Sequence, residues 1–492
     1  MTNRLRTENL DSRTRWLALL VLCLGDLMIV LDGTIVNVAL PSIRDDLGFS
    51  QASLAWVVNA YLLTFGGFLL LGGRLGDLFG HRRLFLLGIA LFTLASLACG
   101  LATTQEALVG ARAVQGLGGA VVSAVALSLI MNLFTEPAER AKAMGVFGFV
   151  LSGGGTAGVL LGGVLTDVLD WHWIFLVNIP VGIGVFALSL GLLPAGRGQV
   201  APGRLDIAGA VTVTASLMLA VFAIVKGNEV GWSSGRTIGL LGAAAVLLAV
   251  FVAIEARVAS PLMPLGLFRN REISTANVVG VLMAGGMFAW FFFSALYLQQ
   301  ILGYTPLEVG LAYLPSMVLW GAASLFLSDR LVMRFGIKTP ILAGLLLMVA
   351  SLVLFARTPV DGSFALDVLP ATIPLALGAG IAFNPLLLAA MSGVEPGESG
   401  LASGVVNTAF MMGGALGLAI LVSLADSRTE ALELDDGRLA ALNGGYHAAF
   451  LLGAVFVGVA GIVGAALFRA GLQAPAHDAG EAGGVPATAE TD

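Results

Sequence analysis

Long apolar runs alternate with short polar breaks along almost the whole chain. A helix needs ~20 apolar residues to cross a bilayer. By that measure the pattern predicts about 14 spans. They fall near 16–40, 53–73, 84–102, 107–133, 142–166, 173–194, 206–226, 237–257, 273–300, 309–328, 339–356, 368–391, 402–425 and 445–469. The first run, Trp16 to Leu40, has 25 residues and no Lys or Arg, yet it contains Asp26 and Asp32. An ionised carboxylate inside a membrane costs at least a few kcal/mol. It persists where it lines a polar cavity, meets a partner or takes up a proton. Six residues turn a helix by ~600°, so the two carboxylates point ~120° apart and need not share a site. Removal from water penalises the charge of either acid, which suits a proton carrier.

The polar breaks divide the cations unequally. Of 25 Lys and Arg, 18 fall on one predicted side and 6 on the other, and Arg112 lies inside a span. The cation-rich side is predicted to be cytoplasmic. Both termini then lie there, and an odd number of spans would spoil the bias. Composition agrees with a membrane protein: 58% of residues are hydrophobic, 11% are charged and mean hydropathy is +0.94. A soluble protein is ~25% charged. The 65 glycines suit close packing of membrane helices. Cys23 and Cys99 both fall in apolar spans and offer no disulfide framework. Four arginines precede the first run, but that run is too long for a typical signal peptide and holds two acids, so it is read as a retained helix. Residues 470–492 are rich in Ala, Gly, Pro and acids and are expected to be disordered. Residues 195–206 read as a linker.

Residues 72–83 (GGRLGDLFGHRR) and 327–338 (LSDRLVMRFGIK) form a faint repeat. Each places an Asp, then a Gly, then cations after a span, as in transporters built from two halves. Gly73, Gly76 and Gly80 permit a tight turn, and Asp77 could pair with an Arg across the bundle. Asp77, Arg82 and Arg83 would then form a latch that breaks as the halves rock. The plainer reading is a solvated cationic loop. Arg112 and Asp32 lie at similar depth, within ~6 Å along the membrane normal. Arg112 either holds a carboxylate ionised until a proton or substrate competes, or bonds helix carbonyls structurally. Asp26 either serves the cavity or bonds Ser, Asn or Tyr of a neighbouring helix. Gly154, Gly158 and Gly162 recur every fourth residue, a small-residue stripe for helix contact. Phe288, Trp290, Phe291, Phe292, Phe293 and Tyr297 could line a pocket for flat compounds, though packing or lipid contact is the commoner fate of such residues. No Gly-Lys dipeptide exists for an ATP-binding phosphate loop, no H-E-x-x-H occurs, and no basic patch offers a nucleic-acid surface.

Five segments together resemble the major facilitator superfamily, and more closely its 14-span drug:proton antiporter-2 family. They are Leu31 to Pro41 (LDGTIVNVALP), Gly73 to Arg83, Leu108 to Gly119 (LVGARAVQGLGG), Trp171 to Pro180 (WHWIFLVNIP) and Gly400 to Asn407 (GLASGVVN). The resemblance departs at two places. Gly158 is followed by Val159 where a proline would kink the fifth span, and His172 stands where the family has Arg. It implies an all-α membrane protein of the major facilitator fold with two six-helix bundles, at 16–194 and 273–469. A linker and inserted spans 7 and 8 occupy 195–272, between a cytoplasmic N-terminus (1–15) and tail (470–492). It further implies no enzyme and no cofactor, but a proton-driven exporter of small hydrophobic or cationic drugs. Such a protein would work by alternating access, as a monomer in the bacterial inner membrane. Asp32, which lies in the family motif, would exchange proton for substrate, helped by Arg112 and by Asp26, which lies outside the core of that motif. A dedicated exporter of one natural product, a non-transporting scaffold and a proton-coupled importer are the alternatives.

Overall fold

The computed structural model describes residues 11–134, 136–194, 206–258, 261–392, 399–433 and 437–469. Residues 1–10, most of the expected linker (195–205) and the expected disordered tail (470–492) lie outside them. Among the described residues there is no strand, and 14 helices are long and apolar enough to cross a membrane. We number their main α-helical segments α1 (Ser12–Leu47), α2 (Trp56–Phe79), α3 (His81–Gly100), α4 (Gln105–Leu133), α5 (Pro137–Val168), α6 (Asn178–Leu192, within the span Trp173–Leu192) and α7 (Ile207–Val230). The rest are α8 (Gly235–Glu255), α9 (Arg271–Leu296), α10 (Pro306–Ala322), α11 (Lys338–Phe355), α12 (Leu369–Met391), α13 (Ser399–Glu433) and α14 (Arg438–Leu467).

Local chemistry sets the helix ends. Asp11 caps α1 by accepting from the Thr14 amide, and hydrogen bonds from Thr14 hold its carboxyl below the usual range. The helix ends only at Gly48, whose φ of 69° is left-handed. It is therefore longer than the apolar run that announced it, with polar turns at both ends. Thr305 and Glu308 form a reciprocal capping box at the start of α10. The two halves of the faint repeat meet the same demand. α2 ends at Gly80 (φ 97°), and the helical segment after α10 ends at Gly336 (φ 75°). Both turns need a positive φ, which glycine supplies without strain.

α1–α6 pack on one another, chiefly α2 and α3 on α4 and α1 on α5. α9–α14 do the same, chiefly α11 on α12 and α9 on α13 and α14. The two groups meet along two seams, α5 with α10 and α2 with α13. α7 lies against α2 and α13, tied by Asn228 Nδ2 donating to the Ser423 carbonyl at 2.6 Å. α8 packs on α7 and exposes Val246, Leu248, Val250 and Val252. An exposed apolar face of this kind suits lipid.

The glycine stripe of α5 faces α1. A Cβ on Gly154 would sit 2.7 Å from Leu27, one on Gly158 3.0 Å from the Leu31 carbonyl, and one on Gly162 2.8 Å from the Ile35 carbonyl. Each partner residue is one turn from the next, and at Gly158 and Gly162 the approach is backbone to backbone. On its other side α5 meets α10 in the same way. A Cβ on Gly163 would lie 2.6 Å from the Pro306 carbonyl, and one on Gly310 3.0 Å from the Val159 carbonyl.

A buried charge network between four helices

Asp32 on α1 and Arg112 on α4 are buried, at 0% and 1% exposure, and form an ion pair through Arg112 Nη1 and Asp32 Oδ2. The depth argument from sequence placed them near each other; the structure puts them in contact. Gln115, one turn along α4, donates to Asp32 Oδ1 at 2.7 Å and accepts from Arg112 Nη1 at 2.7 Å. Asn178, the first residue of α6, also donates to Asp32 Oδ1, at 3.2 Å. Ser96 on α3 accepts from Gln115 and Asn178 and donates to the Phe175 carbonyl. Arg112 Nε donates to the Val57 carbonyl at 3.0 Å, and its guanidinium lies 4.3 Å from the centre of the Tyr61 ring. Asp32 thus accepts three hydrogen bonds while fully buried. Charge-assisted bonds of this kind are what let a buried pair persist. Removing one partner of such a pair costs about 3–5 kcal/mol, because the other charge is left buried.

Gly116 makes this geometry reachable. A Cβ there would lie 2.4 Å from the Tyr61 carbonyl, so α2 approaches α4 closely enough to lay Tyr61 over the arginine. Sequence reasoning saw Gln115 and Asn178 only as letters in motifs and gave Ser96 no part. The available signal was a polar side chain in each of three apolar spans.

Asp26 is also buried, at 3% exposure, and lies apart from this network. Ser123 Oγ donates to its Oδ1, and its Oδ2 has no partner. Although ~120° of helix separates the two acids, both reach α4. Bonding to a serine of a neighbouring helix is the plainer of the two fates expected for Asp26.

Of the residues expected to form a latch, the described cation contacts lie within one half. Arg82 donates to the Leu190 carbonyl near the end of α6, and Arg83 is exposed. Gly73 has open space beside it, and Gly80 makes the turn. Asp77 lies on α2, and its side chain is outside the described residues. Most of the α9 aromatics pack inside the second half. Trp290, Phe292, Phe293 and Tyr297 are 0% exposed. Trp290 lies 5.4 Å from Tyr313 and 6.1 Å from Phe355, and Phe293 lies 6.1 Å from Phe450. Phe288 alone of this set is half-buried, against Phe410.

On the face away from the chain ends, polar bonds join the halves. Gln299 Nε2 donates to the Val38 carbonyl at 2.8 Å. Gln51 donates to the Tyr446 hydroxyl at 3.2 Å, which donates to Gln300 Oε1 at 3.1 Å. These bonds tie α1 and the short helical segment Gln51–Leu54 to α14 and to Tyr297–Ile301, which follows α9.

Two six-helix groups meeting along two seams, with a charge network buried in one of them, define a multi-pass membrane protein of transporter architecture. The chain belongs to the Major Facilitator Superfamily, whose sequence profile matches residues 22–418. That family consists of transporters and not enzymes. The chain is 40% identical to the puromycin resistance protein of Streptomyces alboniger over 449 residues, covering 90% of this chain and 89% of that one. It is 37% identical to the cephamycin export protein of Amycolatopsis lactamdurans over 457 residues, covering 92% of each. Among solved structures, a bacterial homologue of the human lysosomal transporter Spinster, inward-facing and unoccupied, superposes with a TM-score of 0.65 at 16% identity. That match covers 92% of this chain and 97% of the other and speaks for the fold alone.

Proposed function

We propose that this protein exports small hydrophobic or cationic organic compounds, antibiotics among them, in exchange for protons, by alternating access between its two halves. The observation that carries the reading is the Asp32–Arg112 pair with its ring of donors. Nothing in a passive scaffold calls for a charge pair at the centre of an apolar bundle. A proton on Asp32 would remove the charge that holds Arg112, and Arg112 must then find another partner. That makes the pair a two-state element of the kind alternating access requires. Asp26, with one open oxygen, is the second acid available to proton or cationic substrate. Asp77, Arg82 and Arg83, with the turn glycines Gly73 and Gly80, would stabilise one state of the cycle. Gly154, Gly158 and Gly162 would hold α5 against α1 in both.

In this reading the cation-rich face, where the chain ends lie, is cytoplasmic and the membrane is the bacterial inner membrane. The bonds of Gln299, Gln51 and Tyr446 would then tie the two halves together on the outer face. The proton gradient drives the cycle without a cofactor, one chain suffices, and no nucleic acid takes part. The moving units are 16–194 and 273–469, with 195–272 inserted between them. Both relatives named above carry the name of one antibiotic, which favours a narrow substrate range as the second reading.

Purified protein in liposomes holding a pH-sensitive dye tests this. Candidate antibiotics and organic cations are added one at a time under an imposed pH gradient. Substrate-dependent proton flux opposite to the substrate, absent in Asp32→Asn, is the expected result. Flux in the same direction as substrate would make the protein an importer. Flux that survives in Asp32→Asn would remove the pair from the coupling.

A further inference from the structure

Asp206 and Glu255 sit where the inserted helix pair reaches the face of the chain ends. Asp206 caps α7, its Oδ1 accepting from the Gly209 amide at 2.7 Å. Glu255 ends α8, and its Oε2 accepts from the Met263 amide at 3.1 Å. Both are buried, at 4% and 3% exposure, beside Leu71, Ala210 and Leu262. The second oxygen of each acid has no partner. These two oxygens converge: a Cβ on Gly209 would lie 2.5 Å from Asp206 Oδ2 and 2.9 Å from Glu255 Oε1. The two carboxyl groups are within hydrogen-bonding reach of each other.

Two ionised carboxylates cannot hydrogen-bond, because neither has a donor. A cation between them would answer the problem, but among the described residues the surroundings offer none; Arg204 lies outside them. Lys226 and Arg236 lie at the far ends of α7 and α8, and Arg257 is exposed. From α2 the ionisable residues nearest this end are Arg74, exposed, and Asp77, whose side chain is not described. α13 carries no ionisable residue before Asp426, near its other end. A single proton between Oδ2 and Oε1 supplies the missing donor, satisfies both orphan oxygens and removes one of two buried like charges.

We infer that Asp206 and Glu255 bind one shared proton, forming a proton site in the inserted helices separate from Asp32. The proton ties the start of α7 to the end of α8 and, through Met263, to the segment leading into α9. Loss of the proton sets two buried carboxylates against each other and loosens that junction. The site stands whether or not Asp32 carries the coupling proton.

Infrared difference spectroscopy on the purified full-length protein, in water and in D2O across a pH series, reads the site directly. A protonated-carboxyl C=O band is expected that disappears in both Glu255→Gln and Asp206→Asn and survives in Asp32→Asn and Asp26→Asn. Thermal unfolding provides the companion readout. The wild-type midpoint should fall as pH rises through the range in which the band is lost. Glu255→Gln, whose amide donates without titrating, should fold and flatten that dependence; Asp206→Asn does the same from the other partner. A band untouched by both substitutions would overturn the inference. So would a wild type that lacks the band and is stabilised by added Na⁺ or Ca²⁺, which would make the pair a metal-cation site.

Discussion

In the first six helices the space between α1, α3, α4 and α6 is filled by Asp32, Ser96, Arg112, Gln115 and Asn178. In the last six, the corresponding space beside α9, α11 and α14 is filled by Trp290, Phe293, Phe355 and Phe450. The helix arrangement is shared, but the binding forces are opposite. The first core is directional: its donors are aimed at a few shared acceptors, and moving one group strands another. The second is held by shape and dispersion, and tolerates small shifts without an unpaired charge. A half built on rings can act as the anvil against which a half built on charges changes state. The chemistry of exchange would then be carried by one half alone.

That division can be broken at several points. Asp32→Asn should abolish substrate-driven proton flux at some cost in stability, since Arg112, Gln115 and Asn178 all donate to Asp32 and the amide keeps only one acceptor oxygen; flux assay and thermal unfolding read the two effects separately. Arg112→Ala should lose flux and also about 3–5 kcal/mol of stability, because Asp32 is left unpaired. Replacing both with leucine should restore most of that stability and none of the flux. Trp290→Ala in the other half should cost about 3–5 kcal/mol through the cavity it leaves. Its surviving molecules should keep their proton-to-substrate ratio; a changed ratio would mean that the aromatic half takes part in coupling. Gly158→Ala should cost about 1–3 kcal/mol by forcing α5 off α1. Asp77→Asn should give the smallest effect, a slower turnover with substrate affinity nearly unchanged, measured as initial rates over a substrate series.

The number of helices was legible because a bilayer demands long apolar runs, and the glycine stripe because its period matches a helix face. Asp32 and Arg112 stood out as charges in apolar spans, and a rise of ~1.5 Å per residue placed them at one level. Their neighbours were harder to see. Ser96 lies in α3 among residues that any span could contain, and only the packing of α3 on α4 brings it to Gln115. The aromatic run of α9 invited a pocket reading because periodicity states which residues share a face but not what that face meets. Arg82 shows the same limit, since its acceptor, Leu190, is distant in sequence. Asp206 and Glu255 drew no notice because each sits at the edge of a span, where a carboxylate looks solvated until the fold buries it.

The α5–α10 seam is made where glycine on each helix meets backbone of the other. Interlocked side chains give a joint detents, positions where it catches and must be forced past. Bare backbone has none, so in the proposed cycle this contact would let one helix roll on the other without any rotamer having to change. The same smoothness makes the seam vulnerable: a single methyl at Gly163 or Gly310 is a pebble in a bearing, able to seize the motion while leaving every charged residue in place.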